Sequence, residues 1–294
     1  MLKRTIYIGS GSYLRSKNRQ LIIENKESGE HSSVPFDDIG VLELDNPQIL
    51  LNNSLLKNLG QENIVILSCD EFHNPASITY PIVGNTLQTK KFISQVNSKK
   101  TLRNSLWQSI IKAKINNQDA LLRQKNINVL NERSKRVLSG DPKNIEAQAA
   151  SAYWKNIFDI EGFTRARTGI YPNNMLNYTY SIIRSLCTRS LVGAGLHPSL
   201  GIFHKNQYNP FCLADDLMES FRPFADKLVD SIYKKYDPKE DLHREIKREL
   251  LEVSYLDTQI EGQTRPLMIA IQRSSESLAK SFEKQKNLIL TPCL

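Results

Sequence analysis

The chain has 294 residues, 40% of them hydrophobic and 24% charged, with a net charge of +8. That composition is globular, excludes a disordered or fibrous chain, and leaves room for two domains of ordinary size. No apolar run reaches the roughly 18 residues of a membrane span, and Met1-Leu2-Lys3-Arg4 is followed by no long apolar signal core. A cytoplasmic protein without a membrane partner is therefore expected. The cysteines, Cys69, Cys187, Cys212 and Cys293, form no C-x-x-C pair, which argues for reduced thiols and against a zinc ribbon.

Taken in chain order, residues 5–9, 20–24, 39–44, 64–68 and 77–83 read as short strands rich in β-branched residues. One helix, 53–59, interrupts them. After Thr86 the periodicity becomes helical. Leu102, Leu106, Ile110, Ile115 and Leu122 mark a long amphipathic helix, and Leu176, Tyr180, Ile183, Cys187 and Leu191 mark another. Further helices are expected over 146–160, 213–236, 240–255 and 264–283. The simplest arrangement is an α+β fold: a small N-terminal β-sandwich-like domain, residues 1–85, followed by a larger all-helical domain, residues 86–294.

Charge changes where periodicity does. Residues 1–85 hold 7 Lys+Arg against 10 Asp+Glu, and residues 86–294 hold 32 against 21. Basic groups such as Lys90-Lys91, Lys112/Lys114, Arg165/Arg167 and Arg244/Lys247/Arg248 read singly as solvated helix faces. Together they point to a polyanion, nucleic acid, as the partner of the second part.

Three segments carry candidate chemistry. In the first, His204 precedes Asp215, Asp216 and Glu219, with Asn209-Pro210 marking a turn between them. A helix starting near Leu213 puts Asp216 and Glu219 on one face. An imidazole facing two carboxylates suits a divalent metal, Mg²⁺ or Mn²⁺. The same acids would equally serve a capped helix start, with His204 a loop residue. In the second, Glu146 stands near the start of a helix opened by Asp141-Pro142 and flanked by small residues, with Tyr153 two turns further along. It reads either as a site residue or as an exposed first-turn glutamate. The third, Arg165-Ala166-Arg167 through Asn177 to Tyr180, offers arginines and amides suited to phosphates, or a basic loop capping a core helix.

Four blocks, Glu146–Trp154, Asn174–Tyr180, Gly195–His204 and Leu213–Pro223, occur in this order, and the chain resembles the CRISPR-associated integrases of spacer acquisition along nearly its whole length. Its compact length and N-terminal sequence look most like the versions of type II systems. The resemblance implies a divalent metal held by Glu146, His204 and Glu219. Asp216 is then an auxiliary acid or occasional ligand, and Tyr153 an auxiliary group. Arg165, Arg167, Asn177 and Arg222 become DNA contacts. Thr179 stands where many relatives have glycine, a departure that touches no chemistry. The implied reaction is attack by the 3′-OH of a DNA fragment on a phosphodiester at the edge of a CRISPR repeat. The implied assembly is a homodimer joined through the β domains, two such dimers being bridged by a small ferredoxin-like adaptation subunit. Two other readings are a metal-dependent hydrolase of a small anionic substrate, which the dispersed basic groups oppose, and a non-catalytic DNA scaffold.

Overall fold

Short β-branched runs build the first part of the chain, and what they pack against follows from which faces are apolar. The computed structural model describes residues 3–71, 75–166, 168–169, 171–237 and 242–294. Strands β1 (Arg4–Ile8), β2 (Ser12–Lys17), β3 (Gln20–Asn25), β4 (His31–Pro35), β5 (Ile39–Leu44) and β6 (Leu50–Leu51) precede helix α1 (Asn53–Gln61) and strands β7 (Val65–Cys69) and β8 (Pro75–Thr79). They form two four-stranded sheets, ordered β1-β5-β7-β8 and β4-β3-β2-β6. In the first, β1, β5 and β7 run parallel and β8 antiparallel. Parallel neighbours need a crossover, which α1 supplies between β5 and β7.

The sheet β1-β5-β7-β8 is covered on both faces. Leu42 and Ile66 join a cluster with Leu14, Leu21, Phe36, Leu55 and Leu59. Val41 and Leu67 point into the larger core of the helical half. Burial on both faces explains why β5 and β7 read as continuous apolar runs rather than alternating ones.

Strands β2 and β4 were not expected. In β2 the alternation rests on Ser12 and Leu14 alone, since only these two are buried. Strand β4 is a polar edge, exposed at four of its five residues. Asn18 and Arg19 between β2 and β3 both have positive φ, 51° and 58°, the backbone that a two-residue hairpin turn requires. The strand expected over 77–83 ends at Thr79, ahead of Pro81, which cannot donate to a ladder.

The helical part comprises α2 (Gln88–Val96), α3 (Lys100–Gln124), α4 (Ile145–Trp154), α5 (Asn173–Gly193), α6 (Cys212–Met218), α7 (Arg222–Ile232), α8 (Arg244–Leu251) and α9 (Leu267–Lys284). Two expectations are corrected. This part is not all-helical, because β9 (Asp257–Ile260) and β10 (Gln263–Pro266) form an antiparallel hairpin before α9. The single helix expected over 213–236 is broken into α6 and α7. Pro223 has no N–H, and its ring would meet the carbonyl of Glu219 if the helix ran on. The break leaves Glu219 at the junction.

Helix α5 lies on β5, β7 and β8. Tyr178 donates to Glu43 Oε1 at 2.6 Å, and Arg189 donates to the Asn63 carbonyl at 2.9 Å. Lys247 pairs with Asp45, both fully buried, and Tyr7 donates to the same carboxylate at 2.6 Å. Tyr178 and Arg189 fix α5 on the β part, and Lys247 fixes α8 there.

Candidate active site

Glu146 is placed by the cap of its helix. The chain turns through Gly140 and Asp141, at φ 75° and 46°, so α4 starts at Ile145 rather than at Asp141. The Asp141 carboxylate instead accepts from the backbone N–H groups of Ile145 and Glu146, each at 2.9 Å, satisfying two donors the helix start leaves open. Glu146 then faces α3.

On α3 stands Lys114, a lysine whose side chain is only 8% exposed. Its ammonium donates to Glu146 Oε1 at 2.5 Å and to Glu219 Oε2 at 2.6 Å. Arg222 meets the other oxygen of Glu219 at 2.9 Å. Burial alone would push the Glu219 carboxyl up, but Arg222 and Lys114 hold it below its ordinary value. Burial likewise works against the Lys114 charge, and Glu219 with Glu146 outweighs it, so the amine stays protonated.

His204 lies in the loop ahead of α6. Its Nδ1 meets Asp216 Oδ1 at 2.6 Å. The Asp216 carboxylate, fully buried, also accepts from the backbone N–H of Ile202 at 2.5 Å, Phe203 at 2.9 Å and His204 at 3.2 Å. Asp216 therefore shapes the loop and makes Nδ1 the donor, which leaves Nε2 as the acceptor of the neutral ring. Gly201 is required here, because a Cβ would stand 2.3 Å from the His204 carbonyl oxygen. Trp107 of α3 stacks on Phe203 at 4.3 Å and meets the His204 ring edge-on at 5.7 Å. The bond to Asp216 raises the His204 pKa against the opposing effect of burial, and Glu219 adds to the rise. His204 and Glu219 thus lie within electrostatic reach of each other.

A cleft of about 680 Å³ opens beside this cluster, lined by Arg165, Asn177, Tyr180, Arg184 and Arg222 among others. Arg165 donates to Asn177 at 2.7 Å and to Asn173 at 2.9 Å. The guanidinium groups of Arg165 and Arg222 lie over the Tyr180 ring, 5.1 and 4.8 Å from its centroid. Tyr180 and Tyr153 donate to the two oxygens of Asp226, at 2.5 and 3.0 Å. Burial pushes the Asp226 carboxyl up to about 6, partly offset by these hydroxyls. Tyr153 thus reaches the cleft only through Asp226, which it shares with the lining residue Tyr180.

The structure brings Glu146 and Glu219 to one cation, sets His204 in the field of Glu219 and puts Asp216 behind the imidazole. Arg165, Asn177 and Arg222 share one cleft, and Arg167 lies outside the described residues. Among the described residues, no three His, Cys, Asp or Glu side chains gather around a point able to hold a metal ion; the Lys114 ammonium stands between the two glutamates. Lys114 is a correction to the sequence reading, which placed it on a solvated face. Lys247 is another, being buried against Asp45. Asp141 was read as the opening of the helix and not as its cap, and Trp107 and Asp226 were not singled out.

Comparison with known proteins shows the family. Residues 6–259 match the family described as CRISPR associated protein Cas1. The CRISPR-associated endonuclease Cas1 of Neisseria meningitidis serogroup C (strain 8013) is 36% identical over 282 residues, 94% of this chain and 91% of its own. A casposase bound to integration product is similar in fold, with a TM-score of 0.78 over 98% of this chain and 92% of that one at 18% identity. A chain of a Cas6-RT-Cas1–Cas2 complex gives 0.75 over 97% of this chain and 35% of that longer one, at 16% identity. A family match across most of the sequence, with a relative more than one third identical along nearly its full length, places this chain in the Cas1 family.

Proposed function

We propose that this chain is the metal-dependent integrase and endonuclease of CRISPR adaptation, joining the 3′-OH ends of foreign DNA fragments to the CRISPR repeat by transesterification. One observation carries the reading. Glu146 and Glu219, from separate parts of the chain, converge on a single buried cation, and His204, whose Nδ1 is taken by Asp216, lies within electrostatic reach of Glu219. A place that already accommodates the Lys114 ammonium between two carboxylates fits a cation, and two carboxylates with an imidazole suit Mg²⁺ or Mn²⁺. Glu146, His204 and Glu219 would hold the ion. Bound there, it supplies Lewis acidity toward the phosphoryl oxygen and lowers the pKa of the attacking hydroxyl.

The chain's own residues do the positioning. Asp216 keeps the His204 ring in one orientation, the role such partners play behind metal-binding imidazoles. Arg165 and Arg184 line the cleft and would hold the phosphates of the incoming strand, while Asn177 and Tyr180 keep Arg165 in place. The fragment's 3′-oxygen bonds to phosphorus as the P–O bond to the repeat strand's own 3′-oxygen breaks, so no covalent enzyme intermediate is needed. With water as the nucleophile the same groups cleave DNA.

In this reading residues 1–85 join two copies into a homodimer, and residues 86–294 form the catalytic and DNA-holding part. The shared fold with a chain of a Cas6-RT-Cas1–Cas2 complex supports a larger assembly, in which a small ferredoxin-like subunit bridges two dimers. No helix among the described residues is long and apolar enough to cross a membrane, and the cytoplasm is the proposed place of action.

The test is an integration assay with labelled DNA ends and repeat DNA, with and without the bridging subunit. Alanine at Glu146, His204 or Glu219 is expected to abolish joining while DNA binding survives, because the three act as a unit at the chemical step. Joining at the normal rate in excess chelator would refute the proposal.

A further inference from the structure

We propose that Lys114 is a resident counter-cation that occupies the metal position, so that the Lys114 ammonium and a divalent ion are alternative partners of Glu146 and Glu219. This rests on the reading of Glu146, His204 and Glu219 as metal ligands.

The position of Lys114 is unusual for a lysine. It continues the stripe Leu102, Leu106 and Ile110 at a spacing of four, and those three side chains are buried. An apolar residue would serve helix packing there. A charge at a core position is costly unless it is paired and hydrogen-bonded, so its presence demands a specific partner. Both partners are visible: the ammonium donates to Glu146 Oε1 and Glu219 Oε2, at 2.5 and 2.6 Å. The second oxygen of Glu219 is taken by Arg222. Two carboxylates are thus balanced by two cations, and Glu219 has a cation on each oxygen.

A divalent ion on the same pair of carboxylates would bring its charge against a buried ammonium. For the ion to bind, Lys114 has to release at least one carboxylate. Lys114 would therefore do two things. It would keep Glu146 and Glu219 ionised and facing each other before metal arrives, and it would hold metal affinity below what the carboxylates could otherwise reach.

The test uses the full-length protein at pH 8 with Mn²⁺ as the probe, reading binding by calorimetry or electron paramagnetic resonance, and stability by thermal unfolding with and without Mn²⁺. Two variants are compared. Lys114→Met removes the charge and keeps the straight apolar stem. Lys114→Gln keeps a donor for one carboxylate, and it decides the matter should the Met variant fail to fold. In each, the metal-free melting temperature is expected to fall and the rise on adding Mn²⁺ to exceed that of the unmodified protein. Mn²⁺ should bind about tenfold tighter or more, the size of effect that single groups around a metal exert. Affinity that is unchanged or weaker in Lys114→Gln would overturn the proposal and make Lys114 a supporting group. Glu146→Gln separates the two levels of inference. Mn²⁺ binding that survives this change in the otherwise unmodified protein would refute the metal-site reading itself, and the Lys114 proposal with it.

Discussion

Asp216 and Glu219 stand one helical turn apart, and their surroundings give them different work. Asp216 accepts three backbone N–H groups and the His204 ring, so both of its oxygens are committed to the shape of the loop. Glu219 faces two cations and carries its charge into the site. Asp216→Asn is expected to weaken metal affinity by about 10- to 100-fold, as loss of an imidazole's outer partner does, with high Mn²⁺ restoring integration. Glu219→Ala should not be rescued. A metal titration of strand transfer reads both, and near-normal integration by Glu219→Ala would mean that the choice between the two acids was wrong. The four sequence blocks pointed to the acids, His204 and Glu146, and the proposed site is built on them. Lys114 was not legible, although a signal was present: it sits four residues beyond Ile110 on a stripe otherwise apolar, which marks a buried lysine. Counting it among basic pairs by sequence proximity hid its place on the helix. Asp226 escaped for another reason, since only the fold brings Tyr153 and Tyr180 to it.

At the scale of elements, strands with runs of apolar β-branched residues announced themselves, and those without did not. Strands β1, β3, β5 and β7 were readable from β-branched runs. Strand β2, with two buried residues, and the polar edge β4 lacked that pattern. The α6–α7 break had a signal in Pro223, which cannot sit inside a continuous helix, but the single helix expected over 213–236 ran through it. Strand β5 also carries a testable oddity. Glu43 is fully buried; one oxygen accepts from Tyr178, and among the described residues Oε2 has no partner. Burial raises its carboxyl from 4.5 to about 7, opposed by the Tyr178 bond; Asp45 adds to the rise, while Lys247 and Cys69 oppose it. The folded chain therefore binds this proton more tightly than the unfolded chain. The stability so gained is complete below pH 4.5 and is lost as pH climbs through about 7. The loss between pH 5 and 8 should be of order 2–3 kcal/mol, because a proton held only by the folded chain changes stability by about 1.36 kcal/mol for each pH step of one. Glu43→Gln keeps an acceptor for Tyr178 and removes the titration, so its stability should fall less steeply with pH. Asp226, raised to about 6, leaves it a residual slope of the same sign. Urea unfolding from pH 5 to 8 measures both proteins; parallel profiles would show that Glu43 does not titrate in this range.

The whole molecule is asymmetric in charge, and the asymmetry fits the proposal that its two halves meet different partners. Residues 1–85 are slightly acidic and residues 86–294 strongly basic, even though Lys114 and Lys247 spend their charge inside. The sheet β4-β3-β2-β6 ends in two edges, β4 and β6, and open edges invite pairing with a second chain. On this sheet Tyr13 and Leu50 are partners in register between β2 and β6, and they remain 47% and 53% exposed. A second copy of the chain meeting this face would bury that pair and leave the two basic halves turned outward. A fragment would then have to span two sites. Leu50→Asp introduces a charge where such an interface must be apolar, and it touches neither the shared core nor the site. Sedimentation should find the unmodified chain dimeric and this variant monomeric at micromolar concentration. DNA affinity of the dimer should fall steeply with salt, each neutralised phosphate contributing about −0.9 to the log–log slope on duplex DNA. The monomer holds half of the contacts, so its slope should be correspondingly shallower. A variant that stays dimeric would move the interface elsewhere on the β part. A salt slope identical in monomer and dimer would mean that each helical half binds DNA by itself, and that the dimer does not make one fragment bridge two sites.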